Sequence, residues 1–245
     1  MGVIAASVSI VSVAHFVTPP GVHTYHWVHI FLQKLFYLPI LMAAEAHRET
    51  IAALASSLDL RERETALHSK RVQEYALFLA RRVGIKEGDI LEGLEMGALL
   101  HDVGKIGVPD GILLKKGGLT EEERDVIRCH PDLGASLLHR IPFLSGAREI
   151  VESHHEKFDG SGYPKGLKGE QIPIGARIFA VADVFDALTT DRPYKAALSY
   201  RSAVDSLAND RGTHFDPDVV DVFLKIPFRA LAEIASRNGV VLIRP

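Results

Sequence analysis

The chain has 245 residues, 47% of them hydrophobic and 24% charged, which is the composition of an ordinary globular protein with a buried core. The formal net charge is −3 and no block of lysine or arginine occurs, which excludes non-specific binding of a long nucleic acid. The single cysteine, Cys129, excludes an intrachain disulfide and a thiolate-rich zinc site. A reducing compartment fits this, and we expect Cys129 to be a small buried helix thiol.

Two apolar runs occupy the N-terminal part of the chain, over residues 3–17 and 27–44. Each is short for a bilayer core, which needs ~20 predominantly apolar residues, and the second run includes a lysine. One hypothesis is a short membrane hairpin over residues 3–44 that leaves the rest of the chain in the cytoplasm. The alternative is helices packed on the domain or a partner in a soluble cytoplasmic protein. The same runs could mediate oligomerisation, for example as a homodimer.

An amphipathic helical pattern follows from residue 45 to residue 83. Ala76, Leu79 and Val83 share one face of this pattern, and Gly84 is a typical helix terminator. The pattern predicts a connecting helix between the N-terminal segment and the remainder of the chain.

Further helices are predicted along the remainder of the chain. One contains residues 91–101, and a capping box over Thr120–Glu123 predicts the start of another. Residues 174–190 are apolar enough for a buried helix, and no alternating pattern of strands occurs. The fold class is therefore all-α, a compact helical bundle preceded by an apolar helical segment. The domains that we predict are an apolar segment over residues 1–45, a connecting helix over 46–67 and a globular domain over 57–245.

Histidines and carboxylates recur together in several of these helices. Adjacent side chains at a helix end diverge by ~100°, so His101 and Asp102 could contact one metal while Asp102 bridges to a second. Glu64 and His68 are four residues apart, which is the spacing of paired ligands on one helix face. Asp183 lies in an apolar stretch, where an ionised carboxylate needs a cation or hydrogen bonds.

The ligand types indicate the class of metal and reaction. Oxygen and imidazole ligands without a thiolate favour iron, manganese or another divalent metal that tolerates octahedral geometry. Paired divalent metals can activate water and hold a phosphoryl group, so phosphoester hydrolysis is the natural reaction. A lone helical histidine is more often an ordinary packed residue, and only agreement among several segments favours a metal site.

Three stretches of the sequence carry a resemblance to a known family. The segments "LHDVGKIGVPD", "HHEKFDGSGYP" and "ARIFAVADVFDALTTDRPYK" resemble the signature blocks of HD-GYP domains, a branch of the HD metal-dependent phosphohydrolases that degrades cyclic di-GMP. The resemblance extends from about residue 57 to residue 223. It implies a helical bundle with two or three metal ions, most simply iron or manganese, at its centre.

The resemblance also implies a set of metal ligands. Glu64 matches a glutamate that some members add for a third ion. The adjacent His154 and His155 would turn to different ions. The complete ligand set that the resemblance implies is Glu64, His68, His101, Asp102, His130, His154, His155 and Asp183.

Other residues match family positions that contact substrate. Lys105 resembles the lysine that contacts the scissile phosphate, and Asp186 a residue that orients this lysine. Residues Gly162, Tyr163 and Pro164 form the loop after which the family is named. Arg192 and Lys195 resemble a clamp on the second phosphate. The resemblance thus implies catalytic roles for Asp102, Lys105 and Asp186. It implies substrate binding by Lys105, Gly162, Tyr163, Pro164, Arg192 and Lys195.

The implied function is hydrolysis of cyclic di-GMP to linear pGpG, and further to GMP, in bacterial second-messenger signalling. One alternative is hydrolysis of another cyclic dinucleotide or nucleotide. A second alternative is a non-catalytic receptor for cyclic di-GMP. The loop at Gly162, Tyr163 and Pro164 could also dock diguanylate cyclases.

Overall fold

The computed structural model describes Met42 and residues 45–61, 67–191 and 196–244. The chain divides into two compact units, residues 1–50 and 51–245. In the first unit, Met42 and residues 45–50 are helical. Within the described ranges, no helix is both long enough and apolar enough to cross a bilayer. The hairpin predicted over residues 3–44 lies, apart from Met42, outside the described residues.

The second unit is all-α, as the sequence predicts. Across its described ranges there is no strand, and a single isolated β-bridge joins Arg211 to Phe215. Residues 51–61 are helical, and short 3₁₀ turns follow at Val103–Gly107, Pro142–Leu144 and Gly169–Gln171. The further helices are α1 (His68–Val83), α2 (Asp89–Leu100), α3 (Asp110–Leu113), α4 (Glu121–Arg128), α5 (His130–Leu138), α6 (Ser145–Ser153), α7 (Ile174–Thr189), α8 (Tyr200–Asn209), α9 (Pro217–Phe223) and α10 (Phe228–Arg237).

Helix α4 begins at the predicted capping box. The Thr120 hydroxyl accepts a hydrogen bond from the Glu123 amide, and the Glu123 carboxylate accepts one from the Thr120 amide, which confirms the prediction. No residue of α4 is buried. Cys129, at the C-terminal cap of this surface helix, is therefore exposed, and the expectation of a buried thiol is wrong.

The helical pattern that precedes Gly84 is interrupted at Leu67. Leu67 has a left-handed φ of 72°, and α1 begins only at the next residue, His68. The Asp59 carboxylate accepts hydrogen bonds from the amide and the hydroxyl of Ser69, which supplies the acceptor that the first turn of a helix needs. Gly84, with φ 112°, ends α1 as predicted.

Helix α7 lies in the middle of the hydrophobic core. Its side chains Ile178, Phe179, Val181 and Phe185 are fully buried, and α1 packs against it. Helices α2 and α6 approach closely at a pair of glycines, because a Cβ on Gly93 would lie only 2.8 Å from the carbonyl carbon of Gly146. This packing brings helix ends from several parts of the chain together beside α7.

Candidate metal centre

The seven described residues of the predicted ligand set come together in two neighbouring groups. Within each group, one ligand atom from every residue lies within 4.8 Å of the others. The first group takes its members from the start of α1, the end of α2 and the middle of α7, and the second from the starts or ends of α2, α5 and α6. The first group is His68, His101 and Asp183, and the second is Asp102, His130, His154 and His155.

Three of these histidines share one orientation. Each places Nδ1 against the carbonyl oxygen three residues earlier, at 2.7–2.9 Å. A carbonyl oxygen only accepts hydrogen bonds, so each Nδ1 carries a proton, and in the neutral ring Nε2 is the nitrogen that keeps a lone pair. The three pairs are His101 with Ala98, His130 with Ile127 and His154 with Val151.

These lone pairs face one another across the second group. His130 Nε2 lies 3.1 Å from His154 Nε2 and 3.2 Å from the Asp102 carboxylate oxygen Oδ1. With both rings neutral and protonated on Nδ1, these two nitrogens and the carboxylate oxygen are all acceptors, and they repel unless a cation lies among them. The donor set therefore fits a divalent metal ion, since neutral imidazole and carboxylate are ordinary metal ligands.

Asp102 stands between the two groups. Its Oδ1 faces His130, while its Oδ2 lies 3.0 Å from His101 Nε2, in the first group. The same Oδ2 lies 2.8 Å from the Lys105 ammonium, which sits on the 3₁₀ turn that follows α2. One carboxylate thus offers an oxygen to each group, which is the geometry that a bridging ligand needs.

The charges in the site shift the pKa values of its groups. Burial raises the pKa of Asp102, but His101 and Lys105 outweigh burial and hold it well below its usual range. Burial lowers the pKa of His101, but the charge and hydrogen bond of Asp102 outweigh burial and raise it to about 9. Burial lowers the pKa of His155 to about 3. A metal would displace the His101 proton, because only the neutral ring is a ligand.

Asp186 has different partners from those that the resemblance implies. Its carboxylate accepts two hydrogen bonds from Arg71, at 2.7 and 3.0 Å, and lies 2.8 Å from His68 Nδ1. Lys105 bonds Asp102 instead, so the interpretation of Asp186 as the residue that orients Lys105 is corrected. Asp186 is also not a surface carboxylate, since only 1% of it is exposed. It fixes His68 with Nε2 toward Asp183, at 3.5 Å.

His154 and His155 belong to the same group rather than to two. Their ring centroids are 4.1 Å apart, and both rings lie beside His130. The reason is that His154 is the cap of α6, and the chain turns after it. The ring of Tyr163 then stacks on His155 with centroids 4.7 Å apart and planes 25° apart.

The loop at Gly162, Tyr163 and Pro164 is joined to the candidate metal ligands by backbone hydrogen bonds. The Tyr163 amide donates to the His155 carbonyl at 3.2 Å, and the buried Glu156 carboxylate accepts from the amides of Lys165 and Leu167. Gly162 has no room for a side chain, because a Cβ would lie 2.3 Å from the Lys157 nitrogen. The loop therefore packs directly on the site.

Three predicted site residues lie outside the described part of the chain: Glu64, Arg192 and Lys195. The structure also adds residues that the sequence analysis missed. Arg71 falls on the apolar face of α1 one turn before Tyr75, and a buried arginine at such a position signals a carboxylate partner. Phe179 lies against His101, with ring centroids 4.9 Å apart. No sequence signal predicts this contact, because Phe179 is one of many apolar residues in its helix.

Comparison with known sequences places the chain among proteins of one family. A family profile described as an HD domain matches residues 50–219. The cyclic di-GMP phosphodiesterase response regulator RpfG of Xanthomonas campestris is 45% identical over 183 residues, which cover 74% of this chain and 48% of that protein. The 3'3'-cGAMP-specific phosphodiesterase 2 of Vibrio cholerae is 39% identical over 183 residues, 74% of this chain and 35% of that protein. The chain thus spans half or less of the length of these relatives.

A solved structure shares the fold. The crystal structure of the cyclic GMP-AMP-specific phosphodiesterase V-cGAP3 of V. cholerae superimposes with a TM-score of 0.58 at 22% sequence identity. The match covers 76% of this chain and 50% of that one. The helical arrangement described above is therefore also found in this solved structure.

Proposed function

The chain belongs to the HD domain family, in its HD-GYP branch, and we propose that it is a metal-dependent phosphodiesterase that hydrolyses cyclic di-GMP. The observation that carries the proposal is the pair of histidine and aspartate groups that meet at the Asp102 carboxylate, with the Lys105 ammonium beside it. Relatives 41–45% identical to this chain are named cyclic di-GMP phosphodiesterases, which supports the choice of substrate.

We assign the residues of the site to different roles in hydrolysis. The two groups would hold two divalent ions, which would supply a nucleophile at neutral pH and stabilise charge on the phosphoryl oxygens. Lys105 offers a positive charge where the scissile phosphate gains negative charge, and Asp102 holds that ammonium in place. Arg71 and Asp186 keep His68 in one tautomer and orientation. Water adds to phosphorus and the 3′-oxygen leaves, which gives linear pGpG, and a second cut gives GMP.

Substrate recognition is proposed for two sets of residues. Arg192 and Lys195 are proposed to bind the second phosphate, since a guanidinium fork suits a phosphate. Gly162, Tyr163 and Pro164 are proposed to line the nucleotide. The stacking of Tyr163 on His155 supports this, because the loop then lies next to the metal ligands.

The metal is proposed to be iron or manganese, because the ligands are imidazole and carboxylate without thiolate. Glu64 is proposed as a ligand of a third ion. Metal analysis of the purified protein and of Glu64→Ala tests both points. Loss of one ion per chain in Glu64→Ala is the expected result, and equal stoichiometry in the two proteins contradicts it.

A cleavage assay tests the proposed function. Full-length protein loaded with iron or manganese under reducing conditions should convert cyclic di-GMP to pGpG, resolved by liquid chromatography. Metal-loaded protein that leaves cyclic di-GMP intact would refute the proposal. If that protein nevertheless binds cyclic di-GMP tightly, and His101→Ala changes signalling, the receptor alternative gains support.

A second candidate substrate is 3'3'-cGAMP. Three relatives of V. cholerae that are 35–39% identical to this chain are named 3'3'-cGAMP-specific phosphodiesterases. The same assay with a panel of cyclic dinucleotides compares kcat/KM for each. A higher value for 3'3'-cGAMP than for cyclic di-GMP would reverse our assignment.

The predicted domain over residues 57–245 would carry this activity, with residues 46–67 as its connection to the apolar N-terminal segment. Association of residues 3–44 with a membrane stays a prediction, which separation of cells into membrane and soluble fractions tests. Docking of diguanylate cyclases on the loop at Gly162, Tyr163 and Pro164 also stays a prediction, as does a homodimer.

A further inference from the structure

Two side chains of the helical segment formed by residues 51–61 bond residues next to the site. Asp59 is buried, and its Oδ1 accepts a hydrogen bond from the Ser69 hydroxyl at 2.8 Å. Its Oδ2 accepts one from the Ser69 amide at 3.3 Å. Ser69 directly follows His68, so Asp59 anchors the first turn of α1 at the neighbour of a proposed metal ligand.

Arg61, two residues later, contacts the turn that carries Lys105. Its Nη1 donates to the Lys105 carbonyl and its Nη2 to the Val108 carbonyl, each at 3.0 Å. Its Nε and Nη2 also donate to Asp110 Oδ1, at 3.1 and 2.7 Å. Asp110 is 68% exposed, so this ion pair contributes little by itself. The two carbonyl bonds are more shielded from water and use the planar fork that only arginine offers.

The Lys105 turn is held from two directions. The Lys105 amide donates to the Asp102 carbonyl at 2.9 Å, and the Lys105 carbonyl accepts from the Val108 amide at 3.0 Å. Arg61 adds its guanidinium to the same carbonyl and to that of Val108. The Lys105 ammonium lies 2.8 Å from Asp102, which faces both metal groups. Movement of Arg61 would therefore shift the Lys105 backbone and, with it, the Lys105 ammonium.

We propose that Asp59 and Arg61 are positioning residues through which the helical segment 51–61 fixes the start of α1 and the Lys105 turn relative to each other. Neither residue belongs to the proposed metal-ligand or substrate-binding set. A shift of this segment would change turnover by moving Lys105 and His68 with respect to the scissile phosphate. The inference rests on the proposed function for its kinetic effect, but its structural part is measurable without turnover.

The experiment uses full-length protein and compares Arg61→Ala with the matched control Asp110→Ala. The control removes the ion pair but leaves both carbonyl bonds. Arg61→Ala should speed amide exchange of Val108 about tenfold, since the turn that this amide closes loses the two guanidinium bonds to its carbonyls. Its kcat should fall about tenfold with KM and metal content unchanged, because small displacements of a charged group cost that much. Asp110→Ala should stay within about twofold of wild type in both measurements.

Two further variants keep the test decisive. Arg61→Lys can reach one carbonyl but not two, so its kcat should lie between those of wild type and Arg61→Ala. Asp59→Ala should speed amide exchange at Ser69 while leaving exchange at Val108 near the wild-type rate. Ser69→Ala, which keeps the amide bond to Asp59, is its control.

Contrary outcomes are distinguishable. Equal Val108 exchange and equal kcat in Arg61→Ala and Asp110→Ala would overturn the inference. So would faster exchange throughout α7 in Arg61→Ala, since it would indicate a general loss of stability. If wild-type protein cleaves no cyclic dinucleotide, the proposed function fails, while the exchange measurements still decide whether Arg61 holds the turn.

Discussion

At the scale of single residues, Asp186 lies between two positively polarised partners, the Arg71 guanidinium and the Nδ1–H of His68. Burial raises the pKa of Asp186, but hydrogen bonds from His68 and Arg71 outweigh it and lower the pKa. The carboxylate is therefore ionised in the folded protein. It neutralises the charge of the buried Arg71 guanidinium, and it also fixes the orientation of His68, a proposed metal ligand.

Asp186→Asn should lower the free energy of unfolding by about 3 kcal/mol, because Arg71 loses its buried carboxylate partner. Urea denaturation of the metal-free protein measures this without the contribution of ions. The control is Arg71→Met together with the double variant. The double variant should lose less than the sum of the two single losses, since it removes both charges. Strict additivity would show that the two residues do not act as a pair.

Asp102→Ala should abolish turnover and lower the metal content more than loss of any single histidine. The physical reason is that one carboxylate faces both groups, so its removal takes a ligand from each. Metal analysis and the cleavage assay measure the two effects. Asp125→Ala is the control, since that carboxylate is 67% exposed on α4 and should leave both values unchanged. Full metal content in Asp102→Ala would exclude the bridging role.

At the scale of elements, the loop at Gly162 depends on close backbone contact with the end of α6. Gly162→Ala should lower activity at least tenfold and cost about 1–3 kcal/mol of stability, because its Cβ would lie within 2.6 Å of backbone atoms of His155, Glu156 and Lys157. Thermal denaturation and the cleavage assay measure these changes. Gly117→Ala is the control, because a Cβ there meets nothing within 4 Å. Equal behaviour of the two variants would show that the loop adapts freely.

Local signals in the sequence predict some elements well and others poorly. The start of α4 follows from Thr120 and Glu123 alone, since both halves of the capping box lie within one turn. The break at Leu67 does not follow from its neighbours. The acceptor for the first turn of α1 comes from Asp59, ten residues before Ser69, and such a tertiary hydrogen bond leaves no periodic trace.

At the scale of the whole molecule, the sequence predicts which residues form the site better than how they are arranged. The seven described ligand candidates do converge, because their motifs carry both residue type and spacing. Their division into two groups, with His154 and His155 together, depends on how α6 ends and how the chain turns. The partners of Asp186 depend on the packing of α1 against α7, which brings together residues more than a hundred positions apart.

The same long-range convergence predicts that bound metal would stabilise the fold. The candidate ligands lie in or next to α1, α2, α5, α6 and α7, so ions that bind only the folded state would join five helices. At a free concentration one hundred times the Kd, each ion adds about 2.7 kcal/mol. Removal of both ions by a chelator should therefore lower Tm by about 10–20 °C, as calorimetry can measure.

Restoring manganese should return the Tm to its starting value, which separates loss of metal from irreversible damage. Asp102→Ala provides the matched control, since a chain that cannot retain ions has little metal to lose and its Tm should respond weakly to the chelator. A wild-type Tm that does not change on chelation, in protein shown to have lost its ions, would mean that the helix ends hold their positions without metal.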